Sequence, residues 1–300
     1  MRLLALTILS VLLLSCQEKK DPAIEALDKL QRELEIQPSE ERAKSFLDAA
    51  NDYISDHYEE YDLIEPYLTH GAKVSKDYGF LDQTPNFLLR LLRSDEYQGD
   101  KTPYLLDLGD IMININKVHA SNIIYKELHK KDQSNPEINK RQVLVDSIAR
   151  SKSNYLQYLF DQVTVNPDEI GINKKASLKY VDAAEVYALV RPNENQTAEY
   201  LYKAAEIARS LHTMPKAMSI YDWIIEDYQN YENIPTVTFI KGFILEQEYK
   251  KPEAAREVYE TFLERYPDHQ MAESARFLLK NMGKSDEEIL QAIEATQSSN

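Results

Sequence analysis

Cysteine, histidine and carboxylate side chains are the residues of this sequence that could bind a metal ion or take part in catalysis. Their spacing matches no common metal-binding or catalytic motif. Cys16 is the only cysteine, so no disulfide can form within the chain and a cysteine-based metal site is excluded. The six histidines do not pair at the spacing of metal ligands, and neighbouring carboxylates such as Glu59 and Glu60 are typical of solvated helix faces. Nucleophile motifs, phosphate-binding glycine loops and dinucleotide fingerprints are missing from the sequence. We therefore expect no enzyme, no cofactor and no metal ion.

The residues before Cys16 form a segment of their own. Arg2 is followed by a run of twelve mostly apolar residues, 3–14. As a helix this run would span about 18 Å, which is short of the roughly 30 Å core of a bilayer. The pattern predicts a signal peptide over residues 1–15.

The sequence Leu13-Leu14-Ser15-Cys16 resembles the lipobox of bacterial lipoproteins, with an aliphatic residue at −3 and a small residue at −1. The resemblance implies that the Cys16 thiol carries a diacylglycerol and that a peptidase cuts just before it. Several acyl chains would then hold the protein on a membrane. Residues 16–21 would form a short polar tether. Gln17 is not the aspartate of inner-membrane retention, and the tether lacks a long acidic run, so we expect the periplasmic face of the outer membrane.

The composition limits both the fold and the partners. The 300 residues include only 7 glycines, against 20 tyrosines. A sandwich or barrel would need many glycine-rich hairpin turns, so the composition favours helices. The formal net charge is −15, and loss of residues 1–15 removes one positive charge, Arg2, to leave −16. A surface of this charge repels phosphate backbones and anionic lipid head groups. Nucleic acid is therefore not expected as a partner.

One pattern of apolar residues recurs along the chain. Ala217, Ile220, Tyr221, Ile224, Ile225 and Tyr228 fall at the spacing of one helical stripe, and Ala255, Val258, Tyr259, Phe262, Leu263 and Tyr266 repeat it. The pairs Tyr187–Tyr221 and Tyr221–Tyr259 are 34 and 38 residues apart. Shorter copies of the stripe begin at Ala183 and Ser121.

These residues resemble the tetratricopeptide repeat, a helix-turn-helix of 34 residues. Ala255, Tyr259 and Pro267 fit three of its positions, while Gly242 lies one residue too far upstream of the position for a small residue. The resemblance implies an all-α solenoid of helix-turn-helix repeats in two blocks. We also expect Tyr221 and Tyr259 to pack between helices. The ending, in which Gly283 closes a helix and Ser285 with Glu288 caps another, resembles envelope repeat proteins of the kind that coordinate cell-wall work or barrel assembly.

The predicted organisation follows from these patterns. An N-terminal helical block covers 22–130, a linker or irregular insert covers 131–175, and a C-terminal repeat block with a final capping helix covers 176–300. Residues 142–160 could form a helix within the insert. Six helices are expected in the first block, near 22–34, 39–57, 61–76, 80–93, 101–115 and 117–130.

The family binds ligands on the concave face lined by its first helices. Carried over position by position, the groove residues are Tyr202, Glu206, Arg209, Phe239, Phe243 and Glu246. The last three depend on the register of Gly242, and Phe239 and Phe243 also fit a place in the core. Trp223 lies between stripe residues and suits a surface or inter-repeat contact.

Two functions fit this description. One is a membrane-anchored scaffold that binds envelope proteins or peptides through the repeat groove. The alternative is a glycan- or cell-wall-binding lipoprotein that serves an outer-membrane uptake or remodelling system. Only residues 131–175 could supply the insertion that such a glycan site requires.

Overall fold

The fold is all-α, as the sequence predicts, in a computed structural model that contains no strand in the residues it describes. The described residues are 21–57, 60–94, 97, 99–148, 155–164, 172–285, 287, 288, 290 and 291. The predicted signal peptide, Cys16 and all of the tether except Asp21 lie outside them. The helices form two compact units, residues 1–80 and 81–300.

The first unit contains three helices, α1 (Pro22–Ile36), α2 (Glu40–Asp56) and α3 (Tyr61–Asp77). Side-chain caps start two of them: Asp21 accepts from the Ala23 amide at 2.8 Å, and Ser39 accepts from the Arg42 amide at 3.2 Å. Each helix packs on the next around a core of fully buried apolar side chains that includes Phe46, Leu47, Ile64 and Leu68.

The second unit contains the remaining helices of the described chain. These are α4 (Thr84–Arg93), α5 (Thr102–Asn114), α6 (Val118–Lys131), α7 (Pro136–Ile148), α8 (Tyr155–Thr164), α9 (Lys174–Val190), α10 (Thr197–Ser210), α11 (Met214–Asp227), α12 (Ile234–Gln247), α13 (Pro252–Arg265) and α14 (Ala272–Asn281). Consecutive helices pack together as α5 with α6, α8 with α9, α10 with α11 and α12 with α13. This is the helix-turn-helix repeat that the sequence predicts.

Three of the turns inside these pairs contain no glycine and share one backbone conformation. Asn116, His212 and Lys250 adopt the left-handed conformation, at φ of 63°, 57° and 53°. The residue after each donates its amide to a carbonyl in the last turn of the preceding helix, at 2.6 Å to Met112, 3.0 Å to Ala208 and 2.9 Å to Leu245. These bonds satisfy helix-end carbonyls that would otherwise lack a partner.

One of these turns explains why Gly242 lies one residue too far upstream of its expected repeat position. Three residues separate α5 from α6 and α10 from α11, whereas four residues, 248–251, separate α12 from α13. The offset of Gly242 is therefore caused by a longer turn. The packing of the two helices is unchanged, because Gly242 still lies against the ring of Tyr259.

The segment predicted as an irregular insert, 131–175, differs from that description because it contains α7 and α8, which pack on α6 and α9. The helix suggested at 142–160 corresponds to the end of α7 and the start of α8, and residues 149–154 between them lie outside the described chain. The division between compact units falls after Phe80 and not in this segment.

The six helices expected before residue 131 are α1–α6, and only α4 begins clearly later than predicted. It starts at Thr84 because Pro85 occupies its first turn, where a missing amide hydrogen costs nothing. The predicted ending is confirmed where it is described. Gly283 has a φ of 82° after α14, and Ser285 and Glu288 bond reciprocally as a capping box, at 2.8 and 3.3 Å.

Candidate functional site

The pair α10–α11 places one tyrosine against the first helix of its own repeat. Tyr221 of α11 is fully buried, and its hydroxyl donates to the Glu206 carboxylate of α10 in a short hydrogen bond. The other oxygen of Glu206 accepts from Arg209 at 2.6 Å, one helical turn along the same helix. The tyrosine ring thus fills the gap between the helices, and its polar end is satisfied at the edge of the core.

The pair α12–α13 repeats this arrangement. Tyr259 of α13 is fully buried and donates to Glu246 Oε2 of α12 at 3.0 Å. Its ring lies so close to Gly242 that a Cβ there would approach Cε1 to 2.7 Å. Gly242 is needed at this position because only a residue without a side chain leaves room for the ring.

A third copy occurs in α5–α6, which the predicted groove did not include. Tyr125 donates to Asp110 Oδ1 at 2.6 Å, and a Cβ on Gly109 would meet its ring at 2.6 Å. Arg141 of α7 holds the same carboxylate through Nε and Nη2, at 2.9 to 3.0 Å. The signal in the sequence is an acidic residue 13 to 15 positions before each of these three tyrosines.

Of the six predicted groove residues, Glu206, Arg209 and Glu246 take part in these tyrosine–carboxylate contacts. Tyr202 is partly exposed, and its ring lies 6.2 Å from that of Tyr231 between α11 and α12. Phe239 packs against Tyr259 and Phe262, each at 5.8 Å, and so belongs mainly to the core of the terminal helices. Whether these residues contact a ligand stays a prediction.

Phe243 is different from Phe239, although both are on α12. Phe243 is 43% exposed. Phe277 is 47% exposed and lies on α14, which follows the second helix α13 and so takes the place of a first helix. The buried face of α12 is formed by other residues, among them Val237, Gly242 and Ile244. Two successive first helices therefore each present a phenylalanine to solvent.

The face of α10 that is not buried carries alternating charges. Lys203 pairs with Glu199 at 3.2 Å, and its ammonium group lies 4.8 Å from the centre of the Phe160 ring on α8. Tyr231 donates to Glu199 at 2.5 Å. The charged groups of α10 are thus held by neighbours on both sides, and the face has little net charge.

Ion pairs with largely buried carboxylates connect different helices of the second unit, and no pattern in the sequence predicts them. Lys117 reaches Asp182 at 2.8 Å, Lys216 reaches Glu185 at 3.0 Å, and Lys241 reaches Asp222 at 2.9 Å. Burial raises the pKa of Asp182, and the nearby Lys117 opposes that rise. The same two effects, with Lys241 as the opposing cation, act on the pKa of Asp222.

Helix α4 shows how the repeats accommodate another helix. It packs on α5 and α9 through buried leucines, and its last residue, Arg93, pairs with Glu226 of α11. The Arg93 guanidinium also lies 5.3 Å from the centre of the Trp223 ring. Trp223 is therefore a buried contact within the unit and not a surface residue.

The described residues contain neither a cluster of metal ligands nor a helix that could cross a membrane. No group of three or more histidine, cysteine or carboxylate side chains in them is arranged to hold a metal ion. Within the same residues, none of the helices has the length and apolar character needed to cross a membrane. Cys16 is not among the described residues.

The chain was also compared with known proteins. No model of a protein family matches it, and no curated protein matches it either.

Proposed function

We propose that this protein is a lipid-anchored scaffold of the bacterial envelope that binds partner proteins or peptides on the first helices of its C-terminal repeats. The observation that carries this proposal is the exposure of Phe243 and Phe277 on successive first helices. Aromatic side chains dominate the binding energy of protein interfaces when a partner removes them from water. Most other large aromatic side chains of the repeats in this unit are buried in the core or packed against it.

Helix α4 supports the proposal from within the chain. Its leucines and Arg93 are buried against α5, α9 and α11, so the repeats already hold one amphipathic helix. Recognition of a helix or an extended segment by an apolar surface with a few polar contacts is a common mode of peptide binding. The exposed phenylalanines of α12 and α14 are the apolar side chains that a partner segment would cover.

The anchor rests on the sequence alone. Cys16 would carry the lipid, and residues 16–21 would separate it from α1, most simply on the periplasmic side of the outer membrane. A lipid at one end and a repeat surface at the other would hold a partner near a membrane. The partners proposed are envelope proteins engaged in barrel assembly, cell-wall work or secretion.

Site-specific photocrosslinking in living cells tests the binding surface. A photoreactive amino acid is placed at position 243 or 277 of the full-length protein, with position 257 as the control, because Glu257 is exposed on the second helix α13. We expect one reproducible envelope protein crosslinked from 243 and 277 and none from 257. Equal yields from all three positions, or saturable glycan binding by the pure protein with no crosslinked partner, would contradict the proposal.

Membrane fractionation tests the anchor separately. Cys16→Ser removes the only thiol, so we expect the variant to leave the membrane fraction. Ser15→Ala is the matched control, since it keeps a small residue before the cysteine and should still sediment with membranes. If the Cys16→Ser variant sediments like the control, the lipid anchor is wrong.

A further inference from the structure

The three tyrosine–carboxylate contacts of the second unit differ in what neutralises the carboxylate. Asp110 is held by Arg141 and Glu206 by Arg209, so each receives a guanidinium from this chain in addition to its tyrosine. A planar guanidinium satisfies the oxygens that a single hydroxyl leaves over. In two repeats the arrangement is therefore tyrosine, carboxylate and arginine.

The third carboxylate, Glu246, has the tyrosine but no arginine. Its Oε2 accepts from Tyr259, and within the described chain no cation forms an ion pair with it. The helix that follows α13 is α14, just as α7 follows α6, but its arginine is used elsewhere. Arg276 donates to the Pro267 carbonyl at 2.9 Å, whereas Arg141 of α7 holds Asp110.

Glu246 also has an exposed phenylalanine beside it, which the other two carboxylates lack. Phe243 lies three residues before it on α12, hence on the same face of the helix, and is 43% exposed. One helical turn thus presents a partly exposed carboxylate with an acceptor to spare and an exposed aromatic ring. The combination is complementary to a segment that carries one basic and one apolar side chain.

We propose that Glu246 and Phe243 bind a partner segment in which an arginine or lysine lies close to an apolar residue. The basic side chain pairs with Glu246 and completes in trans the arrangement that Arg141 and Arg209 complete in cis. The apolar side chain covers Phe243. This inference rests on the proposed function and specifies the chemistry of the partner. The net charge of −15 favours the approach of a basic segment from a distance.

The test is a selection of random displayed peptides on the full-length protein, purified in detergent. The same selection is run on Glu246→Gln, which keeps an oxygen for the Tyr259 hydroxyl and removes the charge. Glu206→Gln is the matched control, because the charge of Glu206 is already neutralised by Arg209. A selected peptide is then compared with its citrulline version, which keeps the shape of arginine without the charge.

We expect peptides with a basic residue two to four positions from an apolar one, and about tenfold weaker binding of the citrulline version. The tenfold preference for the arginine peptide over its citrulline version should be lost in Glu246→Gln and kept in Glu206→Gln. Phe243→Ala should weaken the binding of both peptides by the same factor. Selected peptides without a basic residue, or an unchanged preference in Glu246→Gln, would overturn the inference while the scaffold function survives. No enriched peptide at all would overturn the inference, and the absence of crosslinks from position 243 would then decide against the scaffold as well.

Discussion

The repeats α10–α11 and α12–α13 use the same contact and differ in how completely it is enclosed. In the first, Tyr221 lies in the large core that runs from α8 to α12, and Arg209 neutralises its acceptor. In the second, Tyr259 belongs to a small terminal core, its turn is one residue longer, and its acceptor has no cation from the described chain. The difference separates two roles of one device: closing the interior of the stack, and leaving a carboxylate available at its end.

The largest effects are expected from removing the two tyrosine rings. Tyr221→Ala and Tyr259→Ala should each lower the free energy of unfolding by about 3–5 kcal/mol, because each leaves a cavity the size of a ring in a closed core. Repeats contact mainly their neighbours, so the extent of the damage should differ. Hydrogen exchange should show Tyr221→Ala loosening helices on both sides of α11, and Tyr259→Ala loosening only α12–α14. Equal loss of protection throughout the unit in both variants would mean that the two cores are not separate.

The glycine beside Tyr259 provides the second prediction. Gly242→Ala places a Cβ 2.7 Å from the ring, and displacement of the ring should cost about 1–3 kcal/mol in urea unfolding. The better helix propensity of alanine is worth less than this. Ala205→Gly in α10 is the reverse change beside Tyr221 and should cost about 1–2 kcal/mol, because glycine within a helix carries its ordinary penalty and a buried methyl group is lost. If Gly242→Ala stabilises the protein, the close contact does not exist in solution.

Much of this comparison could be predicted from the sequence, because apolar periodicity reports burial. The stripes that contain Tyr221 and Tyr259 are buried or partly buried as expected, and the small residue at 242 faces its tyrosine. The offset of Gly242 could not be interpreted, since the turn that absorbs the extra residue is stabilised by Lys250 in a left-handed conformation and contains no glycine. The equivalent turns at Asn116 and His212 also contain no glycine, although the predicted bounds 101–115 and 117–130 placed the first of them correctly.

The polar part of the candidate site was less predictable. Position in the repeat marked Glu206 and Glu246 as groove residues, but it could not show that each accepts from a tyrosine on the next helix. Pairs such as Lys241 with Asp222 depend on which side chains meet between helices, and periodicity says nothing of that. Only one helix, 142–160, is suggested where α7 and α8 lie, because the apolar residues of these two helices do not follow the repeat spacing.

Alkaline titration compares the two tyrosines without changing the packing. Burial, aided by Glu206 or Glu246, raises the pKa of Tyr221 and of Tyr259 above the usual value of about 10, and for Tyr221 the cation Arg209 opposes the rise. A raised folded-state pKa gives stability that is complete below about pH 10 and is lost as the pH rises further. Each such tyrosine should cost up to about 1.4 kcal/mol per pH unit above that point.

The measurement is tyrosinate absorbance recorded together with helix content by circular dichroism. We expect a first phase near pH 10 from accessible tyrosines, then a second phase that coincides with loss of helix. Tyr221→Phe and Tyr259→Phe should each remove one tyrosine from the second phase. A single phase near pH 10 that includes all 20 tyrosines, with helix content unchanged, would contradict the burial of these hydroxyls.

The smallest change in stability should come from Arg209→Gln, which makes the two repeats alike in the neutralisation of their carboxylates. The arginine is 42% exposed, so its pair with Glu206 should be worth only about 0.5 kcal/mol. The variant leaves Glu206 with its tyrosine alone, which is the state of Glu246.

If the missing guanidinium is what makes Glu246 a binding point, Arg209→Gln should gain a preference for basic peptides over their citrulline versions. The gain should be smaller than at Glu246, about two- to fivefold, since the aromatic neighbour on α10 is the partly covered Tyr202 and not an exposed phenylalanine. The double variant Glu206→Gln/Arg209→Gln should lose this gain. Its persistence there would assign the preference to some other carboxylate, and its absence in the single variant would show that the exposed ring of Phe243, more than the uncompensated charge, distinguishes the last repeat.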